Sequence, residues 1–218
     1  MPRITAITPQ KKKISRYNIF TDDKFAFGIE AENLLKRNLK IGQELSQEET
    51  KKIIKEDKLG SLLNKSLNFL SFRPRSQSEV EDYLAKKIAA AEGVKFSEAK
   101  QSVIIIQVVD KLKNYKYLND YEFAKWLVES RLTSNPKGPK IIAMELKRKK
   151  VDQAIIEKVL NSLPNQKELA LKSLKKKLEK FNKLTKLDFK KKVYMYLGSR
   201  GFDSETIRET IAFLEKKR

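Results

Sequence analysis

Carboxylates are the groups in this chain first considered for catalytic chemistry. Among its 218 residues there is no histidine and no cysteine. That removes the side chain that most readily exchanges protons near neutral pH, the imidazole and thiolate metal ligands, and any zinc site built from them. Two acidic pairs could hold a divalent cation, Asp22-Asp23 and Asp120 with Glu122. The first lies in a turn sequence and the second at a helix start, places where carboxylates are expected for local reasons. No further acidic cluster stands ready to complete a site. The seven glycines form neither a GxxxxGK nor a GxGxxG arrangement, so neither of those phosphate cradles is present. The expectation is a protein that is not an enzyme and takes no cofactor and no metal; a carboxylate-dependent nuclease is the residual enzymatic reading.

What the chain offers in quantity is positive charge. Lys and Arg number 48 against 28 acids, a formal charge of +20, with a pI near 9.9. Such a surplus selects a polyanionic partner: nucleic acid, an acidic protein surface or anionic lipid. The bases gather at Arg73 and Arg75, at Arg131, Lys137 and Lys140 around Gly138-Pro139, in the run Lys147-Arg148-Lys149-Lys150, and at Arg200. Arginine presents a planar fork that matches carboxylate or phosphate. The candidate contact residues are therefore Arg73, Arg75, Arg131, Lys137, Lys140, Lys147, Arg148 and Arg200. Four consecutive bases on a helix point in different directions, so residues 147–150 cannot all touch one partner. For the lysines between Lys172 and Lys192, a solvated face and a binding face both stay open.

The elements that must position these bases follow from a repeated segment. Ile142, Leu146, Lys149, Val151, Asp152, Ile156 and Leu160 return 51 residues later as Val193, Leu197, Arg200, Phe202, Asp203, Ile207 and Ile211. A weaker copy places Val80 and Leu84 where Ile142 and Leu146 stand. Helical units of this kind bury their apolar stripes by stacking. Ser46-Gln47-Glu48-Glu49 and Ser76-Gln77-Ser78-Glu79 fit the reciprocal Ser-x-x-Glu helix cap. Asn119, Gly138-Pro139, Asp152, Asp188 and Asp203 read as further helix starts, and Ser97 as a cap within an insertion.

Before them, Ile4 to Ile7, Ile14 to Phe20 and Phe25 to Ile29 read as strands, with a hairpin turn at Thr21-Asp22-Asp23. Tyr17, Ile19, Phe25 and Phe27 are expected on the buried face, Trp126 as an interior anchor, and Lys11-Lys12-Lys13 as a solvated strand end. The fold class is thus mainly α: three tandem three-helix repeats in an elongated array, preceded by a small N-terminal β-hairpin or three-stranded element. The expected divisions are 1–45 for the β-containing element, 46–112 for repeat 1 with an insertion near 89–100, 113–163 for repeat 2 and 164–218 for repeat 3. The longest apolar run, Val103 to Val109, is too short for a membrane helix, and Met1 to Lys13 lacks a signal-peptide core. A cytoplasmic monomer is expected.

Tyr117-Leu118-Asn119-Asp120 with Phe123-Ala124, then Arg131, Lys137-Gly138-Pro139-Lys140, Leu146 and Lys150-Val151-Asp152, resemble in order and spacing the RecX family of bacterial regulators. Leu197, Arg200-Gly201-Phe202 and Asp203 are similar to its third unit, and Arg73, Ser76, Glu79 and Leu84 to its first. The Ile4 to Leu45 segment is similar to the β-containing extension of members from low-GC Gram-positive bacteria. Lys149-Lys150 stands where the family carries Lys-Gly. The resemblance implies a modulator of the recombinase RecA that binds along the groove of the RecA filament on DNA, depresses its ATPase and strand exchange, and promotes disassembly, with single- and double-stranded DNA touched through phosphates. The alternative from the residues alone is a general basic helical protein that grips nucleic-acid phosphates.

Overall fold

The computed structural model describes residues 1–11, 13–133 and 136–217; Lys12 lies outside them, as do the side chains of Lys13 and Ile14. Three strands, β1 (Ile4–Gln10), β2 (Lys13–Thr21) and β3 (Lys24–Glu30), form an antiparallel sheet in the order β1-β2-β3. Asp22 and Asp23 make a two-residue turn with φ of 48° and 62°, the left-handed pair that matches strand twist. The Asp22 carboxylate accepts the Arg3 amide at 3.0 Å, so this acid closes the sheet end.

Ile19, Phe27 and Ile29 are buried and Tyr17 packs partly against them, but Phe25 is 61% exposed. The register explains the difference: Ile19 faces Phe27 and Phe20 faces Phe25, leaving Ala26 as an extra residue. Such a bulge resets the alternation, and Phe25 joins Phe20 on the outer face, ring to ring at 6.0 Å.

The rest is helical: α1 (Ala31–Lys36), α2 (Gln47–Ser71), α3 (Gln77–Glu92), α4 (Phe96–Ala99), α5 (Val103–Asn114), α6 (Asp120–Leu132), α7 (Pro139–Arg148), α8 (Gln153–Asn161), α9 (Gln166–Asn182), α10 (Lys186–Ser199) and α11 (Ser204–Lys217). By internal contacts the chain divides into two bodies, Met1–Ser71 with Leu84–Leu112, and Phe72–Tyr83 with Lys113–Arg218.

In the first body, Asp57 of α2 is buried and fully satisfied. It accepts from Arg16 of β2, the Glu30 amide and Asn33 of α1, each at 2.8 Å. A buried carboxylate is tolerable only with such partners, and these tie the sheet to α2.

The helix starts follow local chemistry. Ser46 and Glu49 exchange bonds of 2.8 and 3.1 Å, Ser76 and Glu79 do likewise, and Asn119, Asp152 and Asp203 each cap an amide. Two starts differ from expectation. α10 begins at Thr185, whose hydroxyl accepts from the Asp188 amide at 3.2 Å, so Asp188 is the third helical residue and the acid half of the cap. Ser97 lies inside α4, which starts after Lys95 without a side-chain cap.

The second body holds two similar three-helix cores. Phe123, Leu127, Ile142, Leu146, Ile156 and Val159 of α6, α7 and α8 make one; Leu174, Phe189, Val193, Leu197, Ile207 and Ile211 of α9, α10 and α11 make the other. Their joint is backbone on backbone. The Gly138 amide donates to the Arg200 carbonyl at 2.8 Å and the Lys140 amide to the Gly201 carbonyl at 3.2 Å. The first amides of α7, which have no partner inside their own helix, are thus satisfied by the turn between α10 and α11. A Cβ on Gly138 would lie 2.3 Å from the Gly201 oxygen.

The corresponding turn in the preceding unit is closed alike: Val151 donates to Leu146 and Phe202 to Leu197, both at 3.2 Å. Lys150 takes φ of 55° where Gly201 takes 86°. Lys150 is exposed while Gly201 is buried against Ile141, so a side chain is admitted at one turn, at a modest backbone cost, and not at the other.

Gly138→Ala should therefore lower the stability of this body by about 2–3 kcal/mol, measured by thermal unfolding. A midpoint shift of less than about 1 °C would show that the joint yields to the methyl group.

Candidate partner-binding surface

Among the candidate bases, Arg73, Arg131 and Lys137 are held by carboxylates within the fold. Arg73 reaches Glu79 at 2.9 Å and its guanidinium lies 5.2 Å from the centre of the Trp126 ring. Trp126 is half-buried, so it is a platform for this cation as well as a packing residue. Arg131 and Lys137 share Glu145, at 2.7 and 2.5 Å. Lys149, absent from the expected set, is the second cation on Glu79 at 2.8 Å. The sequence held a signal for it in the repeat, which aligns Lys149 with Arg200, but nothing local pointed to a partner 70 residues away.

Arg200 is half-buried with its guanidinium 4.9 Å from the centre of the Tyr196 ring, and its carbonyl belongs to the joint with Gly138. Arg75 is half-buried, and burial together with the adjacent Arg73 lowers its pKa. The remaining three, Lys140, Lys147 and Arg148, are exposed on α7. Spaced at i, i+7 and i+8, with exposed Met144 at i+4, they occupy one sector of the helix surface about 12 Å long. Among the described residues no ion pair holds them. The structure therefore sorts the candidates: Arg73, Arg131 and Lys137 brace the fold, and the α7 sector faces outward.

The acids are equally committed. Partial burial alone would raise the pKa of Glu79, but hydrogen bonds from Arg73, Lys149 and the Ser76 amide prevail and hold it at about 2. Burial works the same way on Glu145 and is outweighed by Lys137 and Arg131, leaving its pKa lowered. Asp120 accepts from the Gln77 amide at 2.7 Å and is raised chiefly by burial. It links the start of α3 to the start of α6. Among the described residues no group of three or more His, Cys, Asp or Glu is placed to hold a metal ion, and no helix is long and apolar enough to cross a membrane.

A carboxyl depressed in the folded chain contributes stability that is fully present above its unfolded pKa, near 4.5, and is lost as the pH falls towards 2. Glu79→Gln should remove that acid-sensitive component and cost about 1–2 kcal/mol at pH 7, less than the full shift implies because solvent screens part of the attraction. Thermal melts of both proteins between pH 7 and pH 3 check it. Equal losses on acidification would show that Glu79 is not a stabilising centre.

Comparison with known proteins places these elements. Four family descriptions match in chain order: the regulatory protein RecX N-terminal domain over residues 2–46, then the RecX first, second and third three-helix domains over residues 63–92, 119–160 and 165–211. The chain is 37% identical over 217 residues to the regulatory protein RecX of Bacillus subtilis, covering 99% of this chain and 78% of that protein. It is 33% identical over 205 residues to the regulatory protein RecX of Listeria monocytogenes, covering 93% and 72%. A crystal structure of regulatory protein RecX superposes with a TM-score of 0.69 at 24% identity, over 96% of this chain and 98% of that one. A crystal structure of RecX from Lactobacillus salivarius does so with a TM-score of 0.62 at 25% identity, over 73% and 98%. A β-containing first domain followed by three-helix domains, matched in order and over nearly the full length by relatives above 30% identity, identifies the chain as a member of the RecX family of regulatory proteins.

Proposed function

We propose that this chain regulates homologous recombination and DNA repair by binding, as a cytoplasmic monomer, along the groove of the RecA filament on DNA and depressing RecA ATPase and strand exchange. The observation that carries the reading is the outward sector of α7. Lys140, Lys147 and Arg148 stand exposed beside bases that Glu79 and Glu145 already hold. Charges solvated on the free protein and set on a braced helix are suited to meeting an anionic polymer, because the backbone that carries them is already ordered and only their side chains have to settle. Membership in a family of regulatory proteins supports action by binding, and the DNA within such a filament and any acidic protein surface on it offer the opposite charge.

Reversing Lys140, Lys147 and Arg148 together to Glu changes the net charge by −6, from +20 to +14. The concentration needed for half-inhibition of RecA ATPase should rise about tenfold, equivalent to about 1.4 kcal/mol, with unchanged helical circular dichroism. A charge-matched control reverses the exposed Lys175, Lys176 and Lys180 of α9 and should shift inhibition less than about threefold. Equal effects in the two triple variants would reduce the surface to bulk charge, and full inhibition by the α7 variant would remove α7 from the contact.

A further inference from the structure

α10 has two apolar aspects, and the fold uses one. Phe189, Val193 and Leu197 are fully buried in the core they share with α9 and α11. Leu187, Tyr194 and Met195, on another side of the same helix, are 64%, 45% and 68% exposed. Facing them, α11 presents Arg208, Ile211 and Ala212 at i, i+3 and i+4. Between the two helices runs an open groove of about 560 Å³ with an apolar floor of Tyr194, Met195, Ile211 and Ala212. Its rim is cationic. Lys191 and Arg208 are exposed on it, and the acid on that rim, Glu215, is neutralised by Lys190 at 3.2 Å and Lys186 at 3.9 Å. The Tyr194 and Ser204 hydroxyls lie 3.2 Å apart across the open end, which links α10 to the start of α11.

We infer that this groove receives an amphipathic helical segment of an acidic partner protein, with apolar side chains on the Met195–Ile211 floor and carboxylates on Lys191 and Arg208. Three arguments fix the occupant. An apolar floor between two helices suits the apolar face of a third helix laid along it, whose own anchors recur at i, i+3, i+4 and i+7. A second copy of this chain brings the same +20 surplus and meets the cationic rim with repulsion. A nucleic-acid backbone satisfies the rim but leaves the floor uncovered, since phosphates gain nothing from Met195, Ile211 or Ala212. The inference stands apart from the α7 sector and from the recombinase reading.

The probe is a fluorescein-labelled peptide of about 18 residues with Leu and Phe at helical i, i+3, i+4 and i+7 positions and Glu and Asp elsewhere, titrated with the full chain and read by fluorescence anisotropy. A scrambled peptide of identical composition is the control. The ordered peptide should bind at least tenfold more tightly than the scrambled one. Met195→Glu should weaken it about tenfold, Arg208→Glu about fivefold, and Arg208→Lys less than twofold. Both positions are exposed, and unchanged thermal midpoints confirm that the variants fold. The proposal is overturned if the two peptides bind alike, or if Met195→Glu leaves affinity unchanged. It is equally overturned if Met195→Glu weakens binding of a duplex oligonucleotide as much as of the peptide, which makes the groove a DNA surface, or if sedimentation shows a dimer of the chain that Met195→Glu dissociates.

Discussion

The hydrogen bond from the Gly138 amide to the Arg200 carbonyl, at 2.8 Å, constrains everything around it in the C-terminal body. It exists only because both sides are bare backbone: a Cβ on Gly138 would collide with Gly201, and one on Gly201 would lie 2.6 Å from Ile141. Through it the start of α7 is held by the turn between α10 and α11, while Ile142 and Leu146 seat the helix against α6 and α8. A helix of ten residues is marginal alone. Docked in this way, and packed through Ile142 and Leu146 on α6 and α8, it becomes a fixed rod, and the points from which the exposed bases project are set.

The same economy governs the charge. With 48 bases and 28 acids, one-to-one pairing would leave cations over, and at two places the fold sets one carboxylate against two bases. Glu79 holds Arg73 and Lys149, and Glu145 holds Arg131 and Lys137. These partly buried, doubly bonded pairs are worth more than isolated surface pairs. Exposed cations stand, among other places, on the outward sector of α7, the rim of the α10–α11 groove and α9. A family whose members are regulatory proteins has in such surfaces the means to act by contact.

Much of this was legible in the residues. The three-helix units followed from a 51-residue recurrence, because stacking cores demand the same apolar spacing each time, and Ile142, Leu146, Val193 and Leu197 are all fully buried. The caps at Ser46, Ser76, Asn119, Asp152 and Asp203 were legible because capping is local chemistry. What escaped was long-range or geometric. Phe25 turned outward because of a bulge that alternation cannot register. The start of α10 moved to Thr185 because Asp188 was read as the whole cap and not its second half. The split between bracing and exposed bases was invisible for a physical reason: Lys149 meets Glu79, and Arg73 meets Trp126, only once the helices are assembled.

In the proposed function, exposed cations on a rigid helical scaffold engage a composite anionic polymer, recombinase on DNA, and not DNA alone. The most direct measurement compares the affinity of the purified full chain for preassembled RecA filaments with its affinity for the same DNA bare, at one salt concentration near physiological, where non-specific phosphate contacts are weak. Binding to the filament should be at least tenfold tighter. Equal affinity for the two, falling in parallel as salt is raised, would contradict it and leave a protein that binds phosphates wherever they are found.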